Sequence, residues 1–499
     1  MVNGARFLTI ILGIGVALET IAYLIGFHVP RYRLESAGVA FAVIGAITHL
    51  SSPPPISGIS PKTIGKAFVG EWALWIAASV ALYWPSLRLG PLSDDFVLID
   101  RVHREAFGLV HSEFFRPLPL LAWAVLLRAH AGWVGLHLLN VVAHGLVAFL
   151  ASRLAAPLLP NRTATTAVGL LVITFPASVE AVSWASGIFD VTATLLTLTT
   201  LLVSRHYSEQ TFLGRRVAML GCAVAALLCK ETAVVLPVLI ALDMWVARRW
   251  PRQLVWDCGA IGVIFGSVGV LRWLWASDLV RRPLTKYMLQ RWLFGTVAGV
   301  AVPWHSSVLN DRPWIAAVGA GLVVGAASLY FVARSPWATR RVSLAAFGWL
   351  LLGTLPTVTF FFVAPDLEGS RYLYLSTVGF ALLLVTMSAS ARKSAAAVAV
   401  PAILVLLGAL GVRMHQSQWL RAATSRDAVL AAVRTDSAVH SCRTIRISGL
   451  PDAVGGAYVF RNGAEVALAD EGLVQSGDVE ANCRFRWSAE KLTLVALGE

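Results

Sequence analysis

Apolar residues in this chain gather into long runs broken by short polar or basic connections, and they show neither the two-residue alternation of strands nor the narrow stripe of a soluble helix. The runs are about 20 residues long, the length needed to cross a bilayer as a helix. Spans are predicted near 6–27, 36–54, 68–87, 132–153, 164–180, 187–204, 217–229, 231–247, 254–276, 312–333, 342–363, 371–390 and 395–413. Two further apolar stretches, 117–130 and 287–304, would break the alternation of loops if they spanned, and are read as interfacial or re-entrant helices. The predicted fold is an all-α polytopic membrane protein of about 13 transmembrane helices.

After residue 413 the pattern becomes soluble-like. A helical stretch (QWLRAATSRDAVLAAVRT) leads to a short β-like run (CRTIRISGL), a possible helix (GGAYVFRNGAEVALAD) and a closing strand (CRFRWSAEKLTLVAL). Residues 414–499 are therefore expected to form a small α+β domain. Residues 1–67 would supply two extra helices and a loop, and 68–413 a membrane core whose first outer loop is 88–131. There is no internal repeat, and the one Pro-rich loop is 51–62. The first span lacks the clean cleavage site of a signal peptide.

Composition agrees. The 499 residues are 57% hydrophobic and 14% charged, against roughly 25% charged in soluble globular chains. The net charge of +13 lies in loop clusters such as Arg248, Arg249 and Arg252, the distribution of cytoplasmic loops and not of a nucleic-acid-binding face. With the N-terminus inside, the basic loops fall on one side. Asp94, Asp95, Asp100, Glu105, Glu113, Asp311, Asp366 and Glu368 fall on the other; Arg31 and Arg33 are exceptions. The tail is then extracytoplasmic, so Cys442 and Cys483 lie on the oxidising side, as a disulfide or as two thiols. Cys222, Cys229 and Cys258 read as small core hydrophobes. The sequon at Asn161 falls on the cytoplasmic side and is discarded.

Charges beside apolar spans are costly and need a reason. Asp94-Asp95 follows the span 68–87. The pair could act as a general base, hold a divalent cation, or cap the helix starting at Phe96. Lys230-Glu231 lies between two apolar runs, where lysine is scarce, and could meet a phosphate or simply snorkel. His137, Asn140 and His144 share one helix face and could pack helices or bind a ligand. Glu180, Trp184 and Asp190, then Asp366, Glu368, Arg371 and Tyr372, and finally Arg116 complete a set gathered at one membrane face. Together they suggest an outward pocket for a charged amphiphile.

The ordered series SDDF (93–96), FRPL (115–118), HLLNVVAH (137–144), FPASVEAVSW (175–184), CKETAVVLP (229–237) and SRYLYLSTVGF (370–380) resembles the membrane half of the transmembrane-and-tetratricopeptide-repeat O-mannosyltransferases. More broadly it resembles the GT-C superfamily of polyprenyl-phosphate-sugar-dependent glycosyltransferases. The resemblance covers roughly 68–413. It implies a catalytic acid in the first outer loop, matched by Asp94 and then Asp95. It also implies an inverting transfer of a hexosyl or pentosyl group, mannosyl among them, from a polyprenyl-phosphate-sugar donor to an extracytoplasmic protein, glycan or lipid. Lys230 and Arg371 match basic positions suited to the donor phosphate; Glu231, Arg116, His137, Asn140, Glu180 and Tyr372 match motif positions of less defined role. Any metal would be a divalent ion on Asp94 and Asp95. The two extra spans and a tail without repeats depart from that family and leave the acceptor open. A prokaryotic plasma membrane suits the Arg- and Ala-rich composition. Two competing expectations are a transporter or flippase of lipid-linked saccharides, against which the lack of repeats speaks, and a binding protein on the same scaffold that has lost catalysis.

Overall fold

The structure, a computed structural model, describes residues 61–104, 116–207, 213–275, 283–301, 303, 335–390, 394–442, 444–472, 474–475 and 483–497. The expected spans 6–27, 36–54 and 312–333 lie outside the described residues, as does nearly all of the loop 51–62.

Among the described residues, five helices are long and apolar enough to cross a membrane: Gly132–Ala155, Ala185–Ser204, Arg252–Val270, Ser370–Ala389 and Ala397–Thr435. A sixth candidate is a bent pair, Arg162–Ile173 with Pro176–Ser183, turning by 48°. The chain is a multi-pass membrane protein. The bend falls where a single span was expected at 164–180. Pro176 has no N–H to donate to Val172, and its ring disfavours helical backbone at Phe175, which adopts φ −73°, ψ 118°. The stretch expected at 117–130 is the helix Pro117–Arg128; its 12 residues reach about 18 Å, short of a bilayer. The stretch at 287–304 forms Lys286–Ala301, which Trp292 and Thr296 tie to Thr354 through hydrogen bonds of 2.9 and 3.1 Å.

At the end of the bundle that carries the basic connections, the arginines are tied back by acids. Arg205 donates to both Asp243 oxygens at 3.0 and 2.9 Å, and Arg216 pairs with Asp257 at 2.6 Å.

The last span and the start of the tail are one helix, Ser394–Thr435, of 42 residues. The change to polar composition near residue 414 therefore marks no break in the chain. It marks buried polar side chains turned onto the end of the helix Pro61–Tyr83 and the segment that follows it. Arg413 donates to Ala81 O at 3.0 Å, Gln416 to Leu82 O at 3.3 Å, and Arg426 to Leu89 O and Pro91 O at 2.7 Å each. These bonds hold the turn that leads into Asp94.

Beyond the helix, strands β1 (Thr444–Ser448), β4 (Val474–Gln475), β5 (Cys483–Ser488) and β6 (Thr493–Leu497) form a sheet in the order β4-β1-β5-β6. β1 is parallel to β4 and β5, and β6 is antiparallel to β5. The stretch 455–470, read as a helix, is helical only over Ala464–Ala469. Before it, β2 (Ala453–Val454) and β3 (Ala457–Tyr458) make a hairpin around Gly455-Gly456, both at positive φ, the turn that two adjacent glycines favour. Cys442 and Cys483 are joined by a disulfide with Cα atoms 6.0 Å apart.

This disulfide closes a loop with a sequence separation of 41, for which chain entropy gives about 4 kcal/mol. The variant Cys442→Ser with Cys483→Ser should lower the melting temperature of the tail and speed its proteolysis. Equal melting of variant and wild type under non-reducing conditions would refute that contribution.

Candidate active site

Three breaks in the helices bring charge to one end of the bundle. The 3-10 segment Pro176–Ser178 and the turn Val179–Ser183 that follow the Pro176 bend carry Glu180, fully buried. Lys230 is extended (φ −161°, ψ 144°) between the helix Leu213–Cys229 and the 3-10 turn Glu231–Val235. Arg371 lies in the 3-10 turn Ser370–Leu373. That turn is set by Gly369 at φ +80°, where a Cβ would fall 2.0 Å from Phe362 O and only glycine fits.

Each cation here has one carboxylate of its own. Lys230 Nζ meets Asp190 Oδ1 at 2.5 Å and sits 5.3 Å from the centre of the Tyr372 ring. Arg116 forks onto Glu231, with Nε to Oε2 at 3.0 Å, and lies 5.2 Å from the Phe189 ring. Arg371 bonds Glu180 and donates to the Tyr458 hydroxyl at 3.1 Å. Its guanidinium is caged by Trp184, Tyr372 and Tyr458 at 4.9, 5.0 and 5.6 Å. Carboxylate and aromatic faces together fix the cation, which a flexible side chain in water would not be.

These cations share a cavity of about 910 Å³ with Asp94, whose wall also includes Arg101, Ser186, Phe189 and Asp190. A smaller chamber of about 190 Å³, walled by Phe360, Phe362, Tyr372 and Tyr458, lies on the other side of Asp94, Arg371, Arg461 and Asn462, which line both. A carboxylate and a row of fixed cations facing one cavity can bind an anion and remove a proton from a neighbour of that anion.

Not every residue expected in the pocket reaches it. Asp94 and Asp95 begin the same helix, Asp94–Arg104, and part company there. Asp95 is fully buried and accepts hydrogen bonds from Leu92 N at 2.9 Å, Ser186 N at 2.9 Å and the Ser186 hydroxyl. Burial pushes its carboxyl up to about 7, while the Ser186 and Leu92 donors hold it down. Both its oxygens accept protein donors, and Asp95 is not part of the cavity wall that Asp94 lines. Among the described residues no group of three or more His, Cys, Asp and Glu is placed to hold a metal.

His137 and Asn140, expected in the pocket, are both fully buried and do not line this cavity. Asn140 donates to Trp184 O at 2.7 Å and Ala185 O at 3.2 Å, and His137 Nε2 lies 3.3 Å from Gly90 O. His144 bonds the Tyr374 hydroxyl at 2.6 Å. The stripe holds neighbouring backbone in place, because broken helices leave carbonyls that need donors. Glu180 and Glu231 act on the cavity through Arg371 and Arg116 and are not part of its wall.

Sequence reasoning gave no role to the tail, yet Phe460, Arg461, Asn462, Gly463, Ala464, Glu465 and Val466 line the cavity. Asn462 Nδ2 donates to Asp94 Oδ1 at 2.6 Å across 368 residues of sequence. Arg461 is held by Asp452 and Glu368, with Nε to Asp452 at 2.9 Å and Nη2 to Glu368 at 3.1 Å. The Asn462-Gly463 turn is the one local signal of a close approach there.

No family model matches the chain. It is similar to the protein O-mannosyl-transferase Tmtc1 of Drosophila melanogaster, 34% identical over 121 residues. That match covers 24% of this chain and 14% of the relative's length. Among solved structures it is similar to ArnT from Cupriavidus metallidurans, in the apo state and bound to undecaprenyl phosphate. Each is 14% identical with a TM-score of 0.41, covering 85% of this chain and 94% of that one.

The two aspartates should separate in the laboratory. Asp95→Ala orphans two buried N–H groups and a hydroxyl, which should cost about 1–3 kcal/mol per unsatisfied group and lower the melting temperature in detergent. Asp94→Asn should melt like wild type. Equal melting of Asp95→Ala and wild type would show that Asp95 has no bracing role.

Proposed function

We propose that the chain is an integral membrane glycosyltransferase of GT-C type, moving a sugar from a polyprenyl-phosphate donor to an extracytoplasmic acceptor with inversion. The observation that carries the reading is one cavity holding a half-buried carboxylate, Asp94, and the fixed cations Lys230, Arg116 and Arg371. The similarity to a relative named as a protein O-mannosyl-transferase supports the same class. The positive-inside distribution supports a cavity and tail on the extracytoplasmic side of a prokaryotic plasma membrane, with 68–413 as the membrane core and 414–499 as a tail domain joined to it by the long helix.

In this reading Asp94 takes the proton of the acceptor hydroxyl as its oxygen forms the bond to the anomeric carbon. The bond from that carbon to the phosphate oxygen breaks, and its electron pair goes to the phosphate. Lys230 and Arg371, helped by Arg116, meet the charge that grows there. Because Asp190, Glu180 and Glu231 hold these cations before substrate arrives, little reorganisation is needed at the moment of transfer. The buried ion pairs also account for a site that is not simply positive: each cation offers donors while its carboxylate limits how tightly the spent lipid phosphate is retained.

The purified protein in lipid nanodiscs, given a panel of undecaprenyl-phosphate-linked hexoses and pentoses with membrane extract as acceptor, should release undecaprenyl phosphate and transfer sugar. Asp94→Asn should reduce turnover by about 10²–10⁴-fold. Unchanged turnover in Asp94→Asn would remove it as the base. Movement of intact lipid-linked sugar across vesicles without bond cleavage would favour a flippase.

Lys230→Ala should lower turnover at saturating donor. Arg371→Lys should be impaired as well, because the planar fork that meets Glu180 and three aromatic rings is lost. A fall in folded yield alone, with the rate per folded molecule unchanged, would remove the phosphate role from either residue.

A further inference from the structure

The tail touches the Asp94 turn through one short segment, and the contact is built from several directions. Ser93 N donates to Val459 O at 2.8 Å, Asn462 N donates to Ser93 Oγ at 3.2 Å, and Asn462 Nδ2 donates to Asp94 Oδ1 at 2.6 Å. Phe460 stacks on Phe96, with ring centres 6.2 Å apart and planes 16° apart. Gly463, at φ +80°, leaves so little room that a Cβ would sit 2.8 Å from Ser93 O and 3.0 Å from Phe96 Cβ. Ser93 itself is held at φ 51°, a left-handed conformation that a non-glycine residue adopts at a cost and keeps only when its surroundings impose it. Here the surroundings are the tail.

Only one oxygen of Asp94 is taken by this contact; among the described residues Oδ2 carries no hydrogen bond. The donor is a neutral amide. It can fix the plane of the carboxylate without cancelling its charge, as a guanidinium in the same place would. Arg371 and Arg461 border the same two chambers, but their guanidinium groups are engaged by Glu180, and by Glu368 and Asp452. Arg101, Arg116, Lys230, Asp190 and Glu465 complete the charged wall of the larger cavity.

We propose that Asn462 is a positioning residue for Asp94, its side-chain amide fixing Oδ1 so that Oδ2 faces the acceptor hydroxyl, and that the C-terminal domain is thereby part of the catalytic unit. This rests on the reading of Asp94 as the base. The tail's role is then local and chemical: it imposes the strained Ser93 turn and aims the carboxylate that the turn presents.

The test uses the full-length protein in nanodiscs and the same panel of undecaprenyl-phosphate-linked sugars. Asn462→Leu keeps roughly the size of the side chain while removing the donor, and Asn462→Ala removes both. Both should lower kcat by about 10–100-fold, the scale of a misaimed catalytic group, with donor KM changed less than about twofold and melting temperature unchanged. In the Asp94→Asn background neither substitution should reduce the residual rate further, since residues acting through one another are not additive. Normal kcat in both Asn462 variants, with Asp94→Asn inactive, would overturn the positioning role and leave the transferase reading intact. Losses that multiply in the double variants, or that track a lower melting temperature, would also overturn it. Wild-type protein that consumes no sugar of the panel would overturn the transferase reading, and this inference with it.

Discussion

The site depends on three ion pairs held away from bulk water: Lys230 with Asp190, Arg371 with Glu180 and Arg116 with Glu231. Removing two charges from water costs several kcal/mol per ion, and the attraction between them repays this only with good geometry and further donors. That condition explains much of the surrounding architecture. Arg371 is caged by three aromatic rings, Lys230 is capped by Tyr372, and Arg116 uses both arms of its fork. Losing Asp190 would leave Lys230 a buried cation without its carboxylate, a defect usually worth about 3–5 kcal/mol. The acids are therefore structural and electrostatic parts of the site even where they do not line it.

At this site the charges are brought together largely where the helices break. A continuous helix buries its backbone bonds and presents side chains to lipid or to a neighbour, whereas a break frees backbone groups and turns side chains toward a cavity. The bend at Pro176, the extended Lys230 and the turn after Gly369 are three such places. The freed carbonyls of 184 and 185 are met by Asn140, and the hydroxyl of Tyr374 meets His144. The polar stripe on the helix Gly132–Ala155 thus makes the broken helices tolerable, which is why it is buried and not exposed to the cavity.

The long helix Ser394–Thr435 and the small sheet beyond it carry this logic into the tail. Buried Arg413 and Gln416 satisfy carbonyls at the end of the helix Pro61–Tyr83, Arg426 satisfies two in the loop before Asp94, and the segment around Asn462 meets the same loop. A loop gripped on both sides can keep a strained residue such as Ser93 in place. Membrane core and tail therefore meet at the turn that holds the carboxylate, as they also do where Arg461 pairs with Glu368 and Arg371 bonds Tyr458.

The sequence by itself determined the membrane class and several of its long apolar helices, because bilayer length leaves a mark on a linear pattern that needs no partner. Asp94, Arg116, Lys230 and Arg371 were legible as members of one site through charges in costly places and through the resemblance. What the linear pattern could not hold was direction. Asp94 and Asp95 are neighbours in sequence, yet one faces the cavity and the other is buried under Ser186. His137 and Asn140 share a helix face with nothing to say whether that face meets a ligand or a carbonyl. The tail's part in the cavity was beyond reach for the same reason: Asn462 and Asp94 stand 368 residues apart, and only the packed chain brings an amide to within 2.6 Å of a carboxylate.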